Sequence, residues 1–305
     1  MSVIKANTIS NIPDDLKGIL FALVSTGLFV VSAMLVRVLS DSVDTFQILL
    51  FRQIVFIVVL MPAIKSNIAI LLKPQKLQLH VLRITGAFFA LYFGFIAVGN
   101  LPFADAQALG FLHVLFVAFI SRTFLSEQLT LSRIFTISAG FIGVIMVVQP
   151  EFYHASLFYI LIGALGALGA AVAVVSVRKI AQTEPKITLL AYQAVFVGFI
   201  ALIPSITNWY WPNFEELGLL ILVGLLSSAG QWFGVTAYKF GQANLIANVQ
   251  YVSIIYSLLL GYFIFSEVPD NLALAGAAIL ILSALIPQLF QWARSTISHQ
   301  NTVER

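Results

Sequence analysis

From Lys17 onward the chain alternates between long apolar blocks and short polar joints. Each block runs for about 20 residues with almost no charge, the length a helix needs to cross the hydrocarbon core of a bilayer. Ten such blocks can be read, at 17–39, 46–64, 82–99, 104–121, 131–149, 157–178, 187–205, 216–238, 243–263 and 271–291. They do not alternate apolar and polar residues with a period of two, so a β-barrel fits them poorly. The pattern predicts an all-α polytopic membrane protein. It has ten transmembrane helices, short connections and no appended soluble domain.

Composition points the same way. The 305 residues are 60% hydrophobic and 10% charged, with a mean hydropathy of +0.99. A soluble domain carries about 25% charged residues. There is no cysteine, which excludes disulfides and thiolate metal sites. The net charge of +3 is spread between blocks rather than gathered in a patch, so nucleic acid is not an expected partner. The first block follows a polar tail, "NTISNIPDDLKG", and is long enough to span, so it reads as a span rather than a cleavable signal.

Lysine and arginine set the orientation. Lys5 and Lys17 lie in the N-terminal tail. Lys65, Lys73, Lys76 and Arg83, then Arg122 and Arg133, then Arg178, Lys179 and Lys186, then Lys239 mark every second connection. Arg294 and Arg305 close the C-terminal tail. The opposite connections, such as "NLPFAD", "QPEFYHAS" and "FSEVPD", carry acids and aromatics and no lysine or arginine. Arg37 and Arg52, inside blocks near that side, run against the pattern. Positive charge stays on the cytoplasmic side, so both termini are expected in the cytoplasm.

The chain also matches itself at an offset of 140 residues. Ser126-Glu127 in "TFLSEQLTLSR" falls on Ser266-Glu267 in "YFIFSEVPDNL". "FRQIVF" (51–56) falls on "AYQAVF" (191–196), pairing Gln53 with Gln193. Tyr92 and Gly94 fall on Trp232 and Gly234, and Thr130 falls on Asp270, both good N-cap residues. The expected organisation is a cytoplasmic tail at 1–16, a first repeat at 17–150, a second at 151–291 and a cytoplasmic tail at 292–305. Five helices per repeat is an odd number, so the second repeat enters the membrane upside down. Two inverted-topology five-helix repeats are a recurring design of secondary transporters.

The segment "LPFADAQALGFLHVLFVAFISRTFLSEQLTLSRIFTISAGFIGVIMVVQP" resembles the end of the first repeat in EamA-type members of the drug/metabolite transporter superfamily. "AYKFGQANLIANVQYVSIIYSLLLGYFIFSEVPDNLALAGAAILILSAL" resembles the end of their second repeat. The likeness covers nearly the whole chain. It implies a substrate cavity between spans 1–4 and 6–9, peripheral spans 5 and 10 that often support dimers, and residence in a bacterial inner membrane. Many relatives have proline where this chain has His113, which is a departure.

The resemblance implies transport of a small polar metabolite, such as an amino acid, with export as the expected direction. Import of a nucleotide-like cofactor or vitamin, S-adenosylmethionine or riboflavin, is the alternative. A non-transporting scaffold or an intramembrane enzyme is a further one. No phosphate-binding loop, Ser-His-Asp set or metal cluster is present in the sequence, so neither a cofactor nor catalytic residues are expected. The partners expected are a small-molecule substrate and the bilayer, with the chain a monomer or a homodimer.

Polar residues inside spans are the candidates for the site, because an unpaired polar group in lipid is costly. Asn244, Asn248 and Tyr251 share one face of the ninth span at i, i+4, i+7, either lining the cavity or joining helices. Gln231 and Trp232 in the eighth span offer an amide and an aromatic wall; Tyr92 is the first-repeat counterpart of Trp232. Tyr251, Tyr256 and Trp232 are candidates to stack on a ring-bearing substrate. Arg52 is the most deeply placed cation, either attracting an anion or anchoring the helix. His113 and Gln107 lie in the fourth span, the histidine as a proton relay or a buried neutral ring. Glu127 and Glu267 are read as structural joints, tying span 4 to 5 and span 9 to 10 through helix-start N–H groups. The small residues "GALGALGAAVAVVS" (163–176) predict close helix packing.

Overall fold

The computed structural model describes residues 13–101, 103–150, 156–266 and 268–283. Every regular element among them is helical. The helices are α1 (Asp14–Leu39), α2 (Thr45–Ser66), the short α3 (Ile68–Leu71), α4 (Leu77–Asn100), α5 (Phe103–Phe124) and α6 (Leu131–Val148). They continue with α7 (Leu157–Ala181), α8 (Lys186–Thr207), α9 (Phe214–Phe240), α10 (Ala243–Val249), α11 (Val252–Phe265) and α12 (Asn271–Ser283). Among the described residues nine stretches are long and apolar enough to cross a membrane, with α12 a shorter apolar helix. This is a polytopic membrane protein of about ten spans.

Two spans differ from the expected limits in ways that matter below. α4 begins at Leu77, more than a turn before the predicted start, which puts Arg83 well inside the helix rather than at its end. The ninth span is broken. α10 ends at Val249, and Gln250 and Tyr251 bridge to α11 with bonds of the tighter three-residue kind, from Gln250 N–H to Ala247 O and from Tyr251 N–H to Asn248 O (3.1 and 3.2 Å). Tight turns inside a helix mark hinges and functional interruptions.

The 140-residue offset is visible in backbone and packing. Ser126 and Ser266 both have a φ of 55°, the left-handed conformation that stops a helix. Thr130 and Asp270 both cap the helix that follows, accepting from Arg133 N–H (3.3 Å) and Ala273 N–H (2.7 Å). The most extensive helix pairs are α4 with α7 and α1 with α9, each joining one half of the chain to the other. Gly169 meets Ala90 in the first pair, and Gly230 meets Phe29 in the second, contacts related by the same offset.

The α4–α7 crossing is as close as the small-residue run predicts. A methyl group on Gly86 would lie 2.7 Å from Gly169 O, and one on Gly169 would lie 2.8 Å from Gly86 O. In lipid no hydrophobic force drives helices together, so such backbone approach and its dispersion contacts carry the association. Gly143 and Gly276 repeat the device between α6 and α12.

Candidate functional site: a cavity between the two halves

A cavity of about 560 Å³ lies between the two halves of the chain. Its walls come from α1, α4 and α5 of the first half and α7, α8, α9 and the α10–α11 break of the second. Four glutamines face it, Gln107, Gln193, Gln231 and Gln250, with hydroxyls such as Ser25 and Ser253 between them. The volume suits a small molecule; ligand pockets run from about 300 to 1,000 Å³.

Helix periodicity explains which residues arrive there. On the ninth span Gln250, Ser253, Ile254 and Ser257 recur at the i, i+3, i+4, i+7 spacing of one face, and all four line the cavity. Gln250 is held by a chain of side chains. His113 Nε2 lies 2.7 Å from Gln250 Oε1, and Gln250 Nε2 donates to the Tyr238 hydroxyl at 3.1 Å. His113 Nδ1 sits 2.9 Å from Gly110 O, so both ring nitrogens are engaged. The chain links α5 and α9 through the break, and Tyr238 and Gln250 are both part of the cavity wall.

The cation in the wall is Arg83. It is 4% exposed and donates from Nη1 to Leu189 O at 2.6 Å and from Nη2 to Gln193 Oε1. Behind it, toward the end of the bundle that carries Glu127, His80 and Glu184 form a buried pair with 3.1 Å between Nε2 and Oε2. The second oxygen of Glu184 accepts from Lys76 N–H at 2.8 Å, which anchors the start of α4.

A family model for the EamA-like transporter family matches residues 16–149 and again 157–287. The chain belongs to the EamA-like transporter family. The role of this EamA-like protein is therefore transport of a small molecule across the membrane in which its helices are embedded, and the scaffold and enzyme readings fall away. The pseudopaline exporter CntI of Pseudomonas aeruginosa is 26% identical over 270 residues, covering 88% of this chain and 94% of that one. An S-adenosylmethionine uptake transporter of Rickettsia felis is 27% identical over 251 residues, covering 82% and 84%. A riboflavin transporter of Vibrio cholerae is 25% identical over 249 residues, covering 80% and 82%. A solved crystal structure superposes with a TM-score of 0.76 at 17% identity, over 91% of this chain and 96% of the other, which shows the shared fold.

Of the residues singled out from sequence, Gln107 and Gln231 line the cavity of this EamA-like transporter. His113 stands one layer behind it, through Gln250. The other cavity candidates stand elsewhere. Asn244, Asn248 and Tyr251 do share a face, but it is turned toward α6. A methyl group on Gly140 would lie 2.6 Å from the Tyr251 ring and 3.6 Å from Asn248 Oδ1, and Asn244 Oδ1 accepts from Arg133 at 3.2 Å. Trp232 is 41% exposed on the rim of α9, where Lys186 Nζ stands 4.5 Å from its ring centre. Tyr92 is 50% exposed and stacks on Phe88, so both of these aromatics face outward. Arg52 lies on α2 beside Gln53, whose amide oxygen, in the orientation that satisfies both groups, is 3.3 Å from Nε and Nη2. Tyr256 packs 3.5 Å from the position a side chain on Gly27 would take.

Glu127 bonds beyond its expected partners. Its carboxylate accepts from Ala243 N–H (2.8 Å) and Asn244 N–H (3.2 Å) at the start of α10, and Arg178 Nε lies 3.6 Å away. The joint between α5 and α6 is thereby tied to the other half of the chain. Glu267, and the side chains of Arg37 and Asp105, lie outside the described residues.

Arg83 and Gln250 were not among the sequence candidates, and Gln193 entered only through the repeat. The signal for Gln193 was its alignment with Gln53. Gln250 follows Asn248 by two residues, so a helical wheel puts it on the opposite side from the amides that drew attention.

Proposed function

We propose that the chain is a secondary active transporter that moves a small polar metabolite by alternating access around the cavity between its halves. The observation that carries this is the cavity itself, walled by both halves and lined by apolar side chains among which four glutamines, several hydroxyls and Arg83 are set. The two halves are inverted repeats, 17–150 and 151–291, with short tails at 1–16 and 292–305. The end of the bundle bearing Glu127 and Glu184 faces the cytoplasm, as do both termini, in a bacterial inner membrane. Equivalent helices then run in opposite directions, and exchanging the packing of the two repeats opens the cavity to the opposite side.

Export is the direction we favour, supported by the exporter among the relatives. Import of a cofactor or vitamin is the second reading, supported by the S-adenosylmethionine and riboflavin transporters. Stacking on Trp232, Tyr251 or Tyr256 no longer supports that reading, because the cavity's own aromatics are Phe29, Phe111 and Tyr238.

The test is uptake and efflux by purified protein in liposomes, over amino acids, organic acids, nucleosides, S-adenosylmethionine and vitamins, with and without a proton gradient. Saturable flux of one compound class supports transport, and its dependence on the gradient reports coupling. Absence of flux for the whole panel in both directions would count against the reading.

A further inference from the structure

We propose that Arg83 is the anchor for a carboxylate on the transported molecule, which makes small organic anions the substrate class. The inference rests on the transport reading above. It begins with a charge that lacks a counter-charge. Among the described residues Arg83 has no carboxylate partner, although it is 4% exposed. Its two acceptors, Leu189 O and the Gln193 amide, are neutral. The acid nearest along this end of α4, Glu184, has one oxygen on Lys76 N–H and the other on His80. An ionised group withdrawn from water and left without an opposite charge is unfavourable, and it persists where function requires it.

A clamp between α4 and α8 would not need this charge. A neutral amide could donate the same two hydrogen bonds to Leu189 and Gln193. What those bonds do achieve is to pin the guanidinium. They engage one hydrogen on each terminal nitrogen, and a guanidinium has five N–H donors. Three remain for a partner, in a planar fork that matches the two oxygens of a carboxylate.

The rest of the cavity lets Arg83 set its field. Among the described residues no aspartate, glutamate or lysine lines it. The four glutamines and the hydroxyls donate and accept without net charge, so they suit the other polar groups of the molecule and do not favour a cation. Burial of the guanidinium weakens screening, which strengthens attraction for an anion and repulsion of a cation together. A phosphate monoester brings close to two negative charges at neutral pH, more than one arginine balances, which is why a carboxylate is the better match.

The experiment uses the full chain in proteoliposomes. A small-molecule extract of bacterial cells is split on an anion-exchange resin into retained and unretained fractions, and the compounds taken up from each are identified by mass spectrometry. Thermal unfolding of the purified protein is recorded with the same fractions. The expected result is uptake from the retained fraction, undiminished by phosphatase treatment. Arg83→Gln should lose it by about tenfold or more, the worth of a charge-assisted pair, while Arg83→Lys recovers part of it. Arg83→Gln should keep its elution profile and unfold as a single species, yet lose the stabilisation that the retained fraction gives the natural chain.

Uptake restricted to neutral or cationic compounds, with Arg83→Gln as active as the natural chain, overturns the anion assignment and leaves transport standing. Uptake abolished by phosphatase overturns the carboxylate. Neither uptake nor stabilisation from either fraction overturns both the assignment and the transport reading.

Discussion

Ser126 and Ser266, 140 residues apart, share a φ of 55°, each at the end of a long helix and just before a glutamate. A left-handed residue other than glycine costs roughly 1–2 kcal/mol. The same cost is incurred at equivalent places in both halves, where it turns the chain sharply from one span toward the next. Ser126→Gly should relieve the strain and raise the unfolding temperature slightly. Ser126→Val, with a branched side chain in that conformation, should destabilise by about 1–2 kcal/mol. Thermal unfolding in detergent distinguishes them, and a stabilising valine would mean the turn is not held left-handed.

Glu127 caps α10 from the far half of the chain, and Arg178 holds its other side. Replacing it by alanine leaves two helix-start N–H groups without a partner and removes the carboxylate beside Arg178, whose Nη1 keeps its bonds to Tyr238 O and Lys239 O. The expected cost is about 1–3 kcal/mol, with Glu127→Gln milder because an amide oxygen still accepts one bond. Because the tie joins the two halves at one end of the bundle, these variants should also raise the access of added reagents to the cavity from that end. Labelling rates equal to those of the natural chain would separate the tie from gating.

Close approach of α4 and α7 leaves no room at Gly86. A Cβ there would stand 2.7 Å from Gly169 O, and backbone cannot yield as a flexible side chain can. Gly86→Val should destabilise by about 1–3 kcal/mol and lower the yield of monodisperse protein. Gly94→Ala, where a Cβ would meet nothing within 4 Å, is the control on the same helix and should behave like the natural chain.

Gln231 lines the cavity and Asn248 faces α6. Gln231→Ala should weaken apparent substrate affinity by a few-fold, in keeping with roughly 0.5–1.5 kcal/mol for one neutral hydrogen bond. Asn248→Ala should change thermal stability and leave apparent affinity alone. Flux measured over a range of substrate concentrations separates the two effects, and the reverse pattern would exchange their roles.

Most of the architecture was legible because lipid imposes it. Nine of the ten apolar blocks correspond to described helices within a few residues, apart from the early start of α4, and 271–283 begins the tenth. The face bearing Asn244, Asn248 and Tyr251 was also read correctly as a face. Its direction was left open between the cavity and a helix–helix contact, since periodicity groups residues without saying which neighbour they meet. In lipid, unlike water, both the cavity and a helix–helix contact accept polar side chains. Arg83 was missed for a related reason. The stretch that ends in it, "KPQKLQLHVLR", is polar enough that the span reads as starting at 82, so its charge was counted with the cytoplasmic connection. The helix starts at Leu77, and burial of Arg83 and His80 against α8 and Glu184 makes up for the missing apolar residues.

The natural chain has no cysteine, so single cysteines can be placed in it without altering any native thiol. The decisive measurement is the labelling of Ser257→Cys, in the cavity wall, by a membrane-impermeant maleimide applied from either face of oriented vesicles, with Tyr92→Cys as the outward-facing control. Alternating access requires the cavity cysteine to react from both faces, and transported substrate to shift the balance between them while the control stays unreactive. Reaction from one face only, unchanged under conditions of flux, would contradict a cavity that opens to each side in turn.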